Sequence, residues 1–204
     1  MTKIPTVYYG ALESSPMALY ADVENLLKHL KNTHPLKESE YFKCPSFISW
    51  AKDKLVIKSP ADFSLPVNPL PEYTQFLATD FYFFADREVN LTAYPPFLDM
   101  SDIHGVVGEF DISKWLRSIN ATAAVFKEEL KVKQDQAVLY VGFDRPVKLE
   151  KITYPKEIVG VTSTLMSYKN INMKGRSLTR LYKSFMEAKT NRTVLKMIKD
   201  YNDI

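Results

Sequence analysis

The chain has 204 residues and a mass of 23.5 kDa, is 46% hydrophobic and 25% charged, and carries a formal net charge of +3. This is the composition of a soluble globular domain, which excludes wholesale disorder, and no run approaches the roughly eighteen apolar residues of a spanning helix. The lone cysteine, Cys44, excludes an internal disulfide and a cysteine-rich metal knuckle, so packing must hold the fold.

The first residues, "MTKIPTVYYGALESSP", lack the apolar stretch behind a basic head that a secretory signal needs, and an intracellular setting is expected. Ser15 and Pro16 precede "MALYADVENLLKHLKNTH", in which Leu19, Val23, Leu26, Leu27 and Leu30 recur at helical spacing. Serine as a cap with proline in the first turn predicts a helix start here. "HPLKESEYFKCPSF" reads as a loop leading to a short helix or turn in "PSFISWAKD", and "KLVIKSPADFSL" as a strand broken by Pro60.

The middle of the chain is strand-like. "TDFYFFADREVNLTAYPPFL" has two aromatic or β-branched runs about a polar centre, which predicts a hairpin whose second arm ends at Pro95 and Pro96. "FYFF" as a continuous run reads as a strand buried on both faces. "AVFKEELKVKQDQAVLYVGFDRPVKLEKITY" continues the pattern, with turns predicted at Lys133 to Gln136 and at Asp144, Arg145 and Pro146. Six or more mainly antiparallel strands follow, because the connections are too short for crossover helices. From Pro155 the chain turns helical, with apolar stripes Leu178, Leu181, Tyr182, Phe185, Met186 and then Val194, Leu195, Ile198, Tyr201.

The expected class is therefore α+β: an antiparallel β-rich core, sandwich or jelly-roll-like, with an N-terminal helix and C-terminal helices packed on the sheet. One domain over 1–204 is expected, comprising a helical segment at 1–40, a β-rich core at 41–154 and a basic helical segment at 155–204.

Few motifs carry chemistry. His104 lies two residues after Asp102, the reverse of the order a non-haem iron triad uses, and no histidine follows it; a loop or hydrogen-bonded histidine is the plainer reading. Cys44 precedes a proline that can open a helix, where unpaired amides and Lys43 would acidify a thiol, but no signature links it to a base. A buried small hydrophobe is the preferred reading of Cys44. With six glycines the chain lacks a phosphate-binding loop, a dinucleotide fingerprint and a nucleophile elbow. Asp99, Asp102, Glu109 and Asp111 form only a loose group of acids. No catalytic residue, metal or cofactor is expected. Three Asn-X-Thr triplets, at Asn90, Asn120 and Asn191, match the glycosylation pattern and carry no weight without secretion.

Charge is distributed unevenly. Between Tyr168 and Lys199 there are nine basic side chains against the single acid Glu187, so that segment carries +8 and the rest of the chain −5. Arg176, Arg180 and Lys183, and then Lys189, Arg192, Lys196 and Lys199, fall at steps of three and four, which puts each set on one helical stripe. Such a face suits phosphate backbones or an acidic partner. The "YPPFL" stretch offers Tyr94, Phe97 and Leu98 as protein-interaction residues, because prolines between aromatics make a stiff apolar surface. "GEFDISKWLRSIN" reads as a strand-to-turn corner, with Phe110, Ile112, Trp115 and Leu116 inward, its acids and bases at the solvent side, and Asp111 or Ser113 capping the turn.

The strings "KCPSF", "VIKSPADFSL", "YPPFL", "GEFDISKWLR" and "LYKSFMEAKTNRTVLKMI" together resemble an uncharacterised protein family of tailed bacteriophages, marine and T4-like, from about residue 40 to the end. The resemblance implies provenance and a place in the host cytoplasm, and no mechanism. Three functional expectations follow. The first is a non-catalytic module binding a host or viral protein complex through Tyr94, Phe97, Leu98 and the basic face. The second is a nucleic-acid binder using Arg176, Arg180, Lys183, Lys189, Arg192 and Lys196. The third is a small-molecule or nucleotide-binding enzyme with a pocket in the β core near Cys44, Asp102 and His104. No membrane partner is expected.

Overall fold

The computed structural model describes residues 3–13, 23–66, 74–99, 103–105, 107–114, 116, 118–124, 129–158 and 191–204. Among these, the first sheet has the strand order β12-β1-β5-β9-β7 and the second β2-β3-β11-β6-β8, with a two-stranded ribbon of β10 and β4 beside them. In chain order the strands are β1 (Thr6–Ala11), β2 (Val23–Asn25), β3 (Leu55–Lys58), β4 (Phe63–Pro66), β5 (Thr74–Ala85) and β6 (Asn90–Tyr94). The second half adds β7 (His104–Gly105), β8 (Gly108–Asp111), β9 (Ser118–Ala124), β10 (Glu129–Val132), β11 (Ala137–Phe143) and β12 (Lys148–Lys151). The helices are α1 (Leu26–Thr33), α2 (Pro45–Ala51) and α3 (Asn191–Asn202). Every pairing of named strands is antiparallel except β1 with β12, and the α+β, mainly antiparallel class is the one expected.

Alternation along the strands builds the layers. From β5, Phe81, Phe83 and Ala85 point between the sheets, where they meet Leu91 and Ala93 of β6 and Leu139 and Val141 of β11. The intervening Tyr82 and Phe84 face the other way, onto Val194 and Ile198 of α3. The second sheet repeats this arrangement: Leu55 and Ile57 of β3 point inward, whereas Val56 and Tyr140 face Leu26 and Leu30 of α1 and Phe47 of α2. Each buried phenylalanine or leucine contributes about 1.5–3 kcal/mol, which makes the two-faced strands the main source of stability.

Several local expectations need correction. The helix expected to run on from Pro16 is interrupted: Val23–Asn25 is a strand, and α1 begins at Leu26 with Asn25 as its cap, the Asn25 carboxamide oxygen accepting from Lys28 N at 3.2 Å. Ser15 and Pro16 lie outside the described residues. The segment at 1–40 is also not only helical, because β1 sits second from the edge of the first sheet. The expected hairpin does not form. β5 pairs with β1 and β9, and β6 with β11 and β8, so the polar turn between them carries the chain from one sheet to the other. Asp86 fixes that crossing: its carboxylate accepts from Thr6 N at 2.9 Å and its own N–H donates to Thr6 O at 3.0 Å. The predicted turns at 133–136 and 144–146 are present, with Asp135 at φ 63.

Beyond its pairing with β1, the chain just past β12 is held on both sides. Asn202 of α3 donates to the Thr153 carbonyl at 3.0 Å and accepts from the Thr153 N–H at 3.1 Å, imitating a neighbouring strand just past the end of β12. On the other side, β1 approaches so closely that a Cβ on Gly10 would lie 1.9 Å from the Ile152 carbonyl oxygen. Gly10→Ala is expected to lower unfolding free energy by about 1–3 kcal/mol in urea titrations, with the midpoint falling and the slope unchanged.

Candidate functional site

The helical layer on the second sheet carries a row of rings. His34 meets Phe42 at 5.0 Å between centroids, Phe42 meets Phe47 at 5.2 Å, and Phe47 meets Trp50 at 6.4 Å. Trp50 then meets Tyr94 at 6.3 Å and Phe97 at 5.9 Å, and there the row reaches the surface, with Phe97 54% exposed. Pro45 at the first turn of α2 sets the helix start, and the step of three from Phe47 to Trp50 puts both rings on one face.

The "YPPFL" loop holds Phe97 in place from both ends. Tyr94 closes β6, Pro96 is buried, and the turn is fixed by Phe97 N donating to Pro95 O at 2.8 Å and Asp99 N to Pro96 O at 3.1 Å. Tyr94 and Leu98 are half-buried against the helical layer, so of the three predicted interaction residues Phe97 is the one presented and the other two anchor it. Beneath, the Phe97 ring stands at 71° to that of the fully buried Tyr140, 5.7 Å away.

Asp99 ties this loop to the core with both carboxylate oxygens. Oδ1 lies 2.8 Å from Nε2 of His29 on α1, and Oδ2 accepts the hydroxyl of Tyr140 on β11. The network extends outward: Glu24 lies 3.8 Å from His29 Nδ1, and Lys58 bridges Glu24 at 3.6 Å and Asp135 at 3.3 Å. Burial, reinforced by the Asp99 carboxylate, pushes the Tyr140 phenol far above its ordinary range, so it stays a proton donor. Over the outer faces of the rings lies Lys54, its Nζ 4.6 Å from the Trp50 centroid and 5.8 Å from that of Tyr94.

The other candidate residues are not brought to this place. Arg192 and Lys196 stand exposed on α3, opposite the buried Val194 and Ile198, while Arg176, Arg180, Lys183 and Lys189 lie outside the described residues. Cys44 is exposed, which corrects the buried reading; as the residue before Pro45 it caps α2. The Phe47 and Ser46 amides facing its sulfur hold the thiol below its ordinary range. His104 sits on β7 in the first sheet, far in the topology from Cys44 on the helical side of the second; its side chain and Asp102 lie outside the description. The acids also separate. Asp99 belongs to the network above, Glu109 accepts from Thr92, and Asp111 is buried instead of facing solvent, capping the turn by accepting from both N and Oγ of Ser113 while pairing with Lys114 at 2.8 Å. Trp115 and Arg117 lie outside the described residues. Among those described, no group of three metal-binding side chains comes together.

Two clefts among the described residues lie elsewhere. One of about 590 Å³ opens beside the β11–β12 turn, with Leu55, Phe143 and Leu149 as apolar lining and Lys52, Asp53 and Arg145 among its charged residues. Another of about 320 Å³ lies where the start of α3 meets the end of β5, and there Arg192 shares the lining with Asp86 and Glu88.

No family model and no curated protein matches the chain. Among solved structures it is similar to a mutant dUTPase of Staphylococcus bacteriophage 80alpha, at 9% identity and a TM-score of 0.33, over 65% of this chain and 94% of that one. A likeness of that depth carries no argument about activity. No described helix is long and apolar enough to cross a membrane.

Sequence reasoning singled out Tyr94, Phe97 and Leu98 and did not single out His29, Trp50, Lys54 and Tyr140, which pack around them. The step from Phe47 to Trp50 was a usable signal for one of them; the Asp99 contacts, 70 and 41 residues away in sequence, left none. Two outcomes follow. Tyr140→Phe takes a donor from a largely buried carboxylate, so stability is expected to fall by about 1–3 kcal/mol and the Phe97 and Asp99 amides to exchange hydrogen faster than in the parent. Iodoacetamide should alkylate Cys44 with a pH midpoint below about 8.5, the value for an unperturbed thiol.

Proposed function

We propose that the protein is a non-catalytic binding module of bacteriophage origin, working inside the host cell, that engages a host or viral protein complex through the surface centred on Phe97. The observation that carries this reading is an aromatic side chain 54% exposed on a hydrogen-bonded, ring-packed support. Its loop is stiffened by two prolines, pinned through Asp99 to His29 and Tyr140, and backed by Trp50 and Tyr94. Pre-organised aromatics lose little entropy on binding and dominate interface energetics.

The exposed Arg192, Lys196 and Lys199 on α3 favour a second reading, attachment to nucleic acid through phosphates. The two separate by salt and by mutation. Tagged protein is used to capture partners from host lysate with and without nuclease. On the first reading a stoichiometric protein survives nuclease and about 200 mM salt, and Phe97→Ala cuts its recovery at least tenfold, the equivalent of roughly 1.4 kcal/mol. Material that disappears with nuclease, and is lost in Arg192→Glu rather than Phe97→Ala, would establish the second reading instead.

A further inference from the structure

A buried carboxylate needs a cation, and Asp99 has one candidate. Its side chain is 10% exposed, and among the described residues its only ion-pair partner is His29, itself 2% exposed, whose Nε2 lies 2.8 Å away. Tyr140 supplies the other hydrogen bond but no charge, because burial holds its phenol far above the ordinary range. The second ring nitrogen of His29 also faces an acid: Glu24, on β2, lies 3.8 Å from Nδ1. A neutral imidazole has one N–H, so in either tautomer one bare nitrogen is turned toward a carboxylate. An imidazolium presents a proton to each.

Charge balance around the ring agrees. Lys28, next to His29 on α1, lies 3.2 Å from Glu24, and Lys58 of β3 bridges Glu24 and Asp135 of the turn before β11. Two lysines against the carboxylates of Glu24, Asp99 and Asp135 leave one negative charge, which a proton on His29 cancels.

We infer that His29 is a proton-operated latch on the Phe97 loop: protonated, it clamps Asp99, and with it the turn that presents Phe97, more firmly than when neutral. The latch regulates the surface proposed above and takes its functional meaning from that reading. Its strength is the difference between a charge-assisted and a neutral hydrogen bond, the former roughly twice as strong. The clamp travels a short way, since the same turn carries Phe97 N to Pro95 O and Asp99 N to Pro96 O. The sign follows from the two carboxylates. They favour the charged ring, so the loop is tightest at low pH and loosens as pH rises through the interval in which imidazoles titrate, roughly pH 5 to 8.

Amide hydrogen exchange in the full chain tests this directly, with protection of the Phe97 and Asp99 amides measured relative to Ile152 N, which donates to Tyr9 O in the first sheet. In the parent that relative protection should fall about fivefold between about pH 5.5 and about pH 8. His29→Gln keeps a donor but cannot take a charge, so its profile should be flat and lie near the parent's high-pH level; this separates His29 from His34 and His104. Glu24→Gln leaves the Asp99 contact in place and should move the midpoint to lower pH. It also decides the matter should His29→Gln fail to fold. A flat profile in the parent, an undiminished one in His29→Gln, or an unmoved midpoint in Glu24→Gln overturns the latch. Exchange does not involve the partner, so the latch can fall while Phe97→Ala still loses the captured protein, and it can stand where capture ignores Phe97→Ala and the interaction reading falls.

Discussion

A strand that is apolar on both faces must be covered twice, and this requirement organises the molecule. β5 places Phe81 and Phe83 between the sheets and Tyr82 and Phe84 outside them, all four buried. α3 covers the outer face of the first sheet with Val194 and Ile198, while α1 and α2 cover the second through Leu26, Leu30 and Phe47. Without either helical layer, rings that each contribute about 1.5–3 kcal/mol would be returned to water. The order of layers, helix, sheet, sheet, helix, is thus dictated by four consecutive aromatic residues and their counterparts on β3 and β11.

The second constraint is electrostatic and local. A carboxylate in a largely buried position is tolerated only when its oxygens are satisfied. Asp99 meets that condition by joining three distant pieces: the loop after β6, α1 through His29, and β11 through Tyr140. The same contacts that satisfy the charge also fix the angle at which Phe97 leaves the surface. Rigidity at Phe97 is therefore a by-product of a buried polar network, and the helical layer serves as both core cover and scaffold for the exposed rings.

What the sequence makes legible follows from range. Composition and periodicity report on neighbours, so the buried character of "FYFF", the stiffness of "YPPFL", the apolar stripe Val194 and Ile198, and the turn positions were all readable. Pairing is not local. The polar "ADRE" centre looks like a hairpin turn, yet it is a crossing between sheets, because β6 is needed opposite β5 across the core rather than beside it. The start of α1 was misplaced for a related reason: Val23 fits a helical stripe, but β3 offers its backbone a partner. Cys44 failed differently. Cysteine is usually buried by preference, and here the need of α2 for a residue in extended conformation before Pro45 outweighed that preference.

The chemistry at the surface inherits this history. The row of rings in the helical layer ends at the surface, where Phe97 is exposed and packs on Trp50. An exposed aromatic face in water is poorly solvated but electrostatically attractive to a cation. The chain meets that condition with Lys54, which comes three residues after α2 ends and reaches back over Trp50.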